Sequence, residues 1–473
     1  KRAANAALFD RYLSHKVMKA LLSKANFLFQ RGLFHQADAA FRECWERQPS
    51  VEAALGVALS SLNLGKLLDA QNWAERVIAW REAEPNLTGH GYAILGTIST
   101  DLGNYAEALE YHLRAWELAR FTQSLYALAR NPLSTQNAHV KKVVLSANVK
   151  DFHERDYIRV LFAQGHLLRR MGRLTDAYSN FNTANQWLRQ KYPFNSHQEA
   201  LRLQTLIHTV GQHISDISDT RAISLARHIY VIGLPRCGST VLAQMLAWKT
   251  GYVSAGESQA VPKTIVALQQ KLKQPILPKD FINADKEMLR AFRDGVTTEY
   301  KNTIDITATG VIDKQLWLAP FVGWLLTAFD DALVIWLRRH PGDQFISNYT
   351  ILFGDERRFN HHADDFVQAW QLHDQLMSMW MQMFPGRVIP LLFEKLIDEP
   401  EKLLQPIYPL IDNVRTDVRI EDFYQQSAVV SSASDVQVRQ KLNRDGIGRW
   451  NAESKYLSHR SGALEQLIRK YPL

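Results

Sequence analysis

Cysteine is nearly absent: Cys44 and Cys237 are the 2 in a chain of 473 residues. Two thiols so far apart offer neither a disulfide framework nor metal-ligand spacing, so a reducing compartment is expected. No apolar run reaches the roughly 20 residues that span a bilayer, and no membrane span is expected. The opening Lys1-Arg2-Ala3-Ala4-Asn5 lacks the apolar core of a secretory signal, and the chain starts at Lys1 rather than at a methionine. The expected location is cytoplasmic. Dense Lys/Arg blocks are also missing. A formal charge of +8 favours an anionic ligand but, spread over this length, does not point to nucleic acid. The 16 histidines form no HExxH pattern. His361 and His362 are adjacent and poorly placed to share one ligand-bearing helix face, so no metal site is expected. What remains is an ordinary globular balance, 46% hydrophobic and 22% charged, on a chain long enough for two or three domains.

The first half reads as helix after helix with a repeating phrase. Glycine, one residue, a bulky residue, two residues and alanine recur as Gly32-Leu33-Phe34-His35-Gln36-Ala37 and Gly65-Lys66-Leu67-Leu68-Asp69-Ala70. Two later copies are Gly103-Asn104-Tyr105-Ala106-Glu107-Ala108 and Gly172-Arg173-Leu174-Thr175-Asp176-Ala177. A small residue, Ala25, Ala58, Gly96 or Gly165, precedes each of these glycines at a constant distance, where it lets paired helices approach closely. The spacing resembles the tetratricopeptide repeat (TPR), whose period is about 34 residues. A plain antiparallel bundle with coincidental turn glycines would not keep four copies in phase. The stretch from Phe121 to Asn148 is degenerate, and an irregular helical hairpin is expected there.

From about Arg227 the pattern changes to strand, turn, helix. His228–Ile232, 310–312, 332–337 and 388–392 are β-branched or apolar runs, each followed by a helical stretch. That alternation predicts a parallel sheet with helices on both faces and a ligand at the carboxyl ends of its strands. The expected fold is therefore multidomain, α plus α/β. A TPR-like α-solenoid over residues 1–220 precedes a P-loop-like three-layer α/β domain over residues 221–473.

Two strand-to-helix turns stand out. Gly233-Leu234-Pro235-Arg236-Cys237-Gly238-Ser239-Thr240 offers free N–H groups at a helix start, one cation and two hydroxyls, which suits phosphate. It lacks the lysine of the nucleoside-triphosphate P-loop, and Ser239 could also serve simply as an N-cap. Arg338 and Arg339 end the second strand, with Ser347 two helical turns further on. Paired guanidinium groups there suit a dianionic phosphate; solvated surface charges are the alternative.

Together the two turns resemble the sulfotransferase superfamily, and in particular TPR-containing sulfotransferases and tyrosylprotein sulfotransferases. The resemblance covers roughly residues 225 to 455. It implies a sulfuryl donor, the nucleotide PAPS, as co-substrate. By that resemblance Arg236, the backbone of Cys237, Gly238, Ser239 and Thr240 hold the 5′-phosphosulfate, and Arg339 and Ser347 hold the 3′-phosphate. Glu257, in Ala255-Gly256-Glu257-Ser258, stands where that family carries a catalytic base, and Lys314 matches its catalytic lysine. Ser434 matches a serine sharing the lysine's task. The segment Arg444-Asp445-Gly446-Ile447-Gly448-Arg449-Trp450 resembles a loop that covers the nucleotide, one residue shorter and with Asp445 in place of lysine. Arg439, Lys441, Arg444 and Arg449 thus all remain candidates for the 3′-phosphate. Phe393 sits where relatives carry an aromatic near adenine, with a core role equally open.

The acceptor is less defined. The concave surface of helical repeats suits a peptide or protein, and the tyrosylprotein likeness suggests a tyrosine hydroxyl. A glycan, a lipid or a small hydroxylated metabolite is the alternative, as is a repeat scaffold whose nucleotide domain does not catalyse. A P-loop kinase is disfavoured by the missing lysine.

Overall fold

The computed structural model describes residues 17–80, 83–214, 225–304, 309–353, 358–425 and 438–471. They fall into two compact units that divide between Asn180 and Phe181.

The first unit is built on its turn glycines. Gly32, Gly65, Gly103 and Gly172 have φ of +72°, +73°, +84° and +77°. This left-handed conformation ends a helix without the penalty a Cβ would bring. The bulky residue two positions on opens the next helix: Phe34–Arg47, Leu67–Ala79, Tyr105–Ala119 and Leu174–Lys191. The alanines that follow, Ala37, Ala70, Ala108 and Ala177, are fully buried, as are Ala25 and Ala58 of the preceding helices. Gly96 shows why small residues are required there: a Cβ would lie 2.7 Å from the His112 ring. Helix pairs of this kind make the unit TPR-like. Where the phrase lapses, two nine-residue helices, Thr122–Arg130 and Ala138–Ser146, form the connection.

The second unit is organised by a five-stranded sheet of order β2-β3-β1-β4-β5. The strands are β1 (His228–Ile232), β2 (Val253–Gly256), β3 (Val311–Asp313), β4 (Ala332–Arg338) and β5 (Val388–Leu392), and every pairing is parallel. Side chains alternate between two cores. Tyr230, Ile232, Val334 and Trp336 enter one; Ile229, Val231, Leu333, Ile335 and Leu337 enter the other. Burial on both faces explains why β1 and β4 read as continuous apolar runs rather than alternating ones. Each such Val, Ile or Leu contributes about 1.5–3 kcal/mol relative to exposure. Pro390 lies opposite Trp336 on edge strand β5, where a missing ladder N–H is tolerated. The helix Ser196–Gly211, upstream of β1, adds Leu206 and Val210 to the first core.

This strand order positions the site. The chain leaves central β1 for edge β2, returns to β3 beside β1, then crosses to β4 on β1's other flank. The carboxyl ends of β1, β3 and β4 consequently meet at a topological switch point, where ligands of open α/β sheets bind. Among the described residues, no helix is long and apolar enough to cross a membrane, and no group of three His, Cys, Asp or Glu is placed to hold a metal.

Candidate active site

The turn after β1 is fixed from several sides. Gly233 packs so closely that a Cβ would fall 2.5 Å from the Leu337 carbonyl oxygen on β4. Gln344 Nε2 donates to the carbonyls of Leu234 and Pro235 at 3.1 and 3.0 Å, and Asn348 Nδ2 donates to Pro235 at 2.9 Å. Arg236 has φ of +66°, a conformation that costs a non-glycine residue roughly 1–2 kcal/mol. It is held there because its carbonyl accepts from Arg339 Nη1 at 2.7 Å while its own Nε donates to Ser347 Oγ at 3.0 Å. Gly238, at φ +99°, caps the helix Ser239–Thr250, whose first N–H groups open toward the turn. Cys237, Ser239 and Thr240 are buried at this helix start, and burial pushes the Cys237 thiol pKa up.

Arg338 and Arg339 are adjacent but have different surroundings. Arg338 donates to Asp374 at 2.6 Å and stacks over Trp336, Trp370 and Tyr471. These contacts give it a structural role in place of the paired phosphate-binding role expected from sequence. Arg339 is 7% exposed, and its guanidinium lies 4.6 Å from the Phe393 ring centroid. It donates to the carbonyl oxygens of Arg236 and Gly446, while its Nε is buried without a hydrogen-bond partner. No carboxylate forms an ion pair with it among the described residues. Desolvation first, then the nearby Arg449 charge, brings its pKa down to about 10.

A cleft is lined here by Arg236, Gly238, Arg339, Phe393, Asn443 and Gly446. Phe393 lies against the turn: a Cβ on Gly238 would fall 2.2 Å from its Cδ2. A buried guanidinium facing carbonyls, next to a backbone too close for any side chain and a flat aromatic, fits an aryl-bearing anion. The cleft's far wall is pinned by Asp343, whose carboxylate accepts from the N–H groups of Gly448 and Trp450, each at 2.7 Å.

Across β1, Lys314 follows β3 and is 5% exposed; its Nζ donates to Glu257 Oε1 at 3.1 Å. Register supports the pair, since the Lys314 N–H donates to the Gly256 carbonyl at 2.9 Å. Behind it lies buried Asp313, which accepts from Tyr300 Oη at 2.7 Å and from the Gln315 N–H at 2.8 Å. Burial dominates and raises its pKa to about 6.

The remaining expected residues are spread out. Ser434 lies outside the described residues. Arg439 is half-buried and Lys441 exposed. Arg444 is exposed and ion-paired with Asp398. Arg449 is half-buried, with Nε 3.1 Å from Glu453, and repels Arg339 electrostatically. Sequence reasoning overlooked Asp343, Gln344 and Asn348. Their signal was the run of polar residues through Ser347 in the helix Pro341–Tyr349, all of them buried.

Residues 228–414 match the model of the Sulfotransferase family. An uncharacterized protein of Aquifex aeolicus is 26% identical over 283 residues, 58% of this chain, and this chain spans 37% of that relative's length. Among solved structures, the sulfotransferase domain of the Synechococcus PCC 7002 olefin synthase is 19% identical with a TM-score of 0.36, covering 54% of this chain and 98% of its own. The sulfotransferase domain of the curacin biosynthetic pathway is 16% identical with a TM-score of 0.35, covering 53% and 98%. The matched segment runs from β1 through β5 and includes both turns, so the sheet of the second unit lies in the part of the chain that is similar to that family.

Proposed function

We propose that the protein is a PAPS-dependent sulfotransferase that moves the sulfuryl group to an acceptor hydroxyl. The observation that carries this reading is Arg339. A buried cation that donates only to carbonyl oxygens, with Asp343 and Glu394 acting on it through space, has no ion-pair partner among the described residues, and a phosphate in the adjoining cleft supplies one. Arg339 and Ser347 take the 3′-phosphate, assisted by Arg449 and by whichever of Arg439, Lys441 and Arg444 reaches it. The N–H groups of 238–240 and the Arg236 side chain hold the 5′-phosphosulfate, while the expected Cys237 N–H donates to the Leu234 carbonyl at 3.2 Å, and Phe393 stacks on the adenine.

PAPS supplies an activated sulfuryl group. The acceptor oxygen bonds to sulfur as the bond from sulfur to the bridging phosphate oxygen breaks, and the electron pair leaves on the phosphate. Glu257 takes the acceptor's proton, as a carboxylate within hydrogen-bond reach can. Lys314, and Ser434 with it, stabilises the charge that develops on the leaving phosphate, so catalysis rests on positioning and electrostatics. The Lys314–Glu257 pair holds both groups ready, the lysine for the leaving phosphate and the carboxylate for the acceptor's proton.

For the acceptor we favour a tyrosine hydroxyl of a peptide or protein, with the TPR-like repeats as binding surface. The test is incubation with donor radiolabelled in its sulfuryl group and a panel of tyrosyl peptides, phenols, glycans and lipids. Label in an acceptor supports the reading. A protein that binds the donor but labels no acceptor is a nucleotide-binding scaffold instead.

A further inference from the structure

Glu257 and Lys314 follow the two shortest strands, and the sheet alone does little to align them. β2 is an edge strand of four residues, and β3 has three. Their register shifts between Ser254 and Gly256, and beyond that shift the Lys314 N–H bonds to the Gly256 carbonyl at 2.9 Å. Asp313, 1% exposed, reaches both turns. Its carboxylate accepts from the N–H of Gln315, the residue after Lys314, at 2.8 Å. The backbone of Ser258, the residue after Glu257, is a further donor to the same carboxylate. The Gln315 side chain doubles the link, with Nε2 donating to the Ser258 carbonyl at 3.4 Å. A third donor, Tyr300 Oη at 2.7 Å, comes from the helix Lys286–Thr303 and touches neither turn. One buried side chain thus ties together the residues that follow both functional groups.

We propose that Asp313 is the positioning residue of the site: by gripping the backbone at Ser258 and Gln315 it holds Glu257 and Lys314 at the separation that the transfer needs. The roles of the two held groups rest on the sulfotransferase reading above; the hold itself does not. Burial raises the Asp313 pKa to about 6. At pH 7 the group is therefore mostly ionised and accepts only, with room for several donors on its two oxygens. An asparagine of the same shape keeps one acceptor oxygen and turns an NH2 group toward the remaining donors. Slack in such a support is costly, because a misplacement of about 1 Å can cost roughly 10²-fold in rate. The Tyr300 bond separates two uses of the carboxylate: it anchors a helix to the sheet, whereas the two backbone bonds align the turns.

The test is competitive acetylation of the full chain with trace acetic anhydride at mildly alkaline pH, read at Lys314 and at Lys249. Lys249 is the internal reference, since it is equally buried and its partners, Glu401 and the Val418 carbonyl, belong to neither turn. Asp313→Asn should speed Lys314 labelling at least fivefold and leave Lys249 within twofold. Hydrogen exchange in the peptide bearing Ser258 should rise in parallel. Tyr300→Phe, which loosens the helix and keeps both backbone bonds, should leave Lys314 within twofold. Gln315→Pro is a second route, because the φ of −72° at Gln315 suits proline and the substitution deletes the N–H. It should free Lys314 as Asp313→Asn does. Equal acceleration at Lys249 and Lys314 would make Asp313 a support of the whole fold and overturn the proposal. Unchanged Lys314 labelling in both Asp313→Asn and Gln315→Pro would overturn it as well. With radiolabelled PAPS and N-acetyltyrosinamide, Asp313→Asn should lower turnover at least tenfold while adenosine 3′,5′-bisphosphate binds within threefold of wild type; full turnover would remove the role. A wild type that binds no bisphosphate, or labels no tyrosinamide, would instead strike the donor or the acceptor reading, leaving the acetylation rates to judge Asp313.

Discussion

Lys314 Nζ and Glu257 Oε1 lie 3.1 Å apart, joining the end of β3 to the turn after β2 and pairing a buried ammonium with a half-exposed carboxylate. The inequality in burial matters. Lys314, shielded from water, interacts strongly with a phosphate that arrives beside it. Lys314→Ala should then cut turnover by about 10²–10³-fold while changing bisphosphate affinity by less than about threefold. Comparable losses in both would remove the catalytic role. Glu257→Gln should lower turnover by at least about 10²-fold; full turnover at neutral pH would remove it as the base.

Arg339 sets function against stability. A charge buried without an ion-pair partner is expensive to hold, and an apolar side chain of similar length removes that cost while leaving the Arg236 and Gly446 carbonyls unpaired, two effects that oppose each other. Arg339→Met should weaken bisphosphate binding about hundredfold, while the unfolding temperature stays level or rises. A clear fall in unfolding temperature together with retained nucleotide binding would make Arg339 a structural residue.

Gly238 and Phe393 test how tightly the cleft is built. An alanine at 238 would put Cβ 2.2 Å from Phe393 Cδ2 in a φ of +99°. Gly238→Ala should therefore cost about 1–3 kcal/mol and weaken nucleotide binding. Adding Phe393→Ala should recover the part due to collision but not the part due to φ. Stability measurements on the two single variants and the double variant separate these contributions, and strict additivity would mean that the ring and the turn do not meet.

Asp313 gives the fold a pH signature. Burial raises its folded-state pKa to about 6 from the ordinary carboxyl value of 3.8. Between those values the native state holds a proton that the unfolded chain has released. Its contribution to stability is thus fully present below about pH 4 and lost as pH rises through about 6. Urea unfolding from pH 4 to 7 should show wild type losing on the order of 3 kcal/mol relative to Asp313→Asn across that window. Parallel curves would show that the carboxyl is ionised in the native protein.

The central strands β1 and β4 were legible because burial on both faces demands unbroken apolar runs, and β3 and β5 from shorter apolar runs. The four-residue β2, Val253–Gly256, was not read as a strand, since an edge position with a single neighbour makes little demand on Val-Ser-Ala-Gly. The turn glycines of the repeats were legible because positive φ narrows the choice of residue. The difference between Arg338 and Arg339 was not legible. It depends on Asp374, Trp370 and Tyr471, remote in sequence, which engage one arginine and leave the other facing carbonyls. Asp343 was missed for a similar reason: its partners are backbone N–H groups of Gly448 and Trp450, which carry no side-chain signature.

The central claim is that the Arg339–Ser347 side of the cleft reads a 3′-phosphate. Calorimetric titration with adenosine 3′,5′-bisphosphate, 5′-AMP and ATP tests it most directly. The bisphosphate should bind tightly, with 5′-AMP and ATP weaker by at least about hundredfold, the scale of a lost charge-assisted phosphate contact. Equal affinity for 5′-AMP, or a preference for ATP, would contradict it and remove the sulfuryl-donor reading with it.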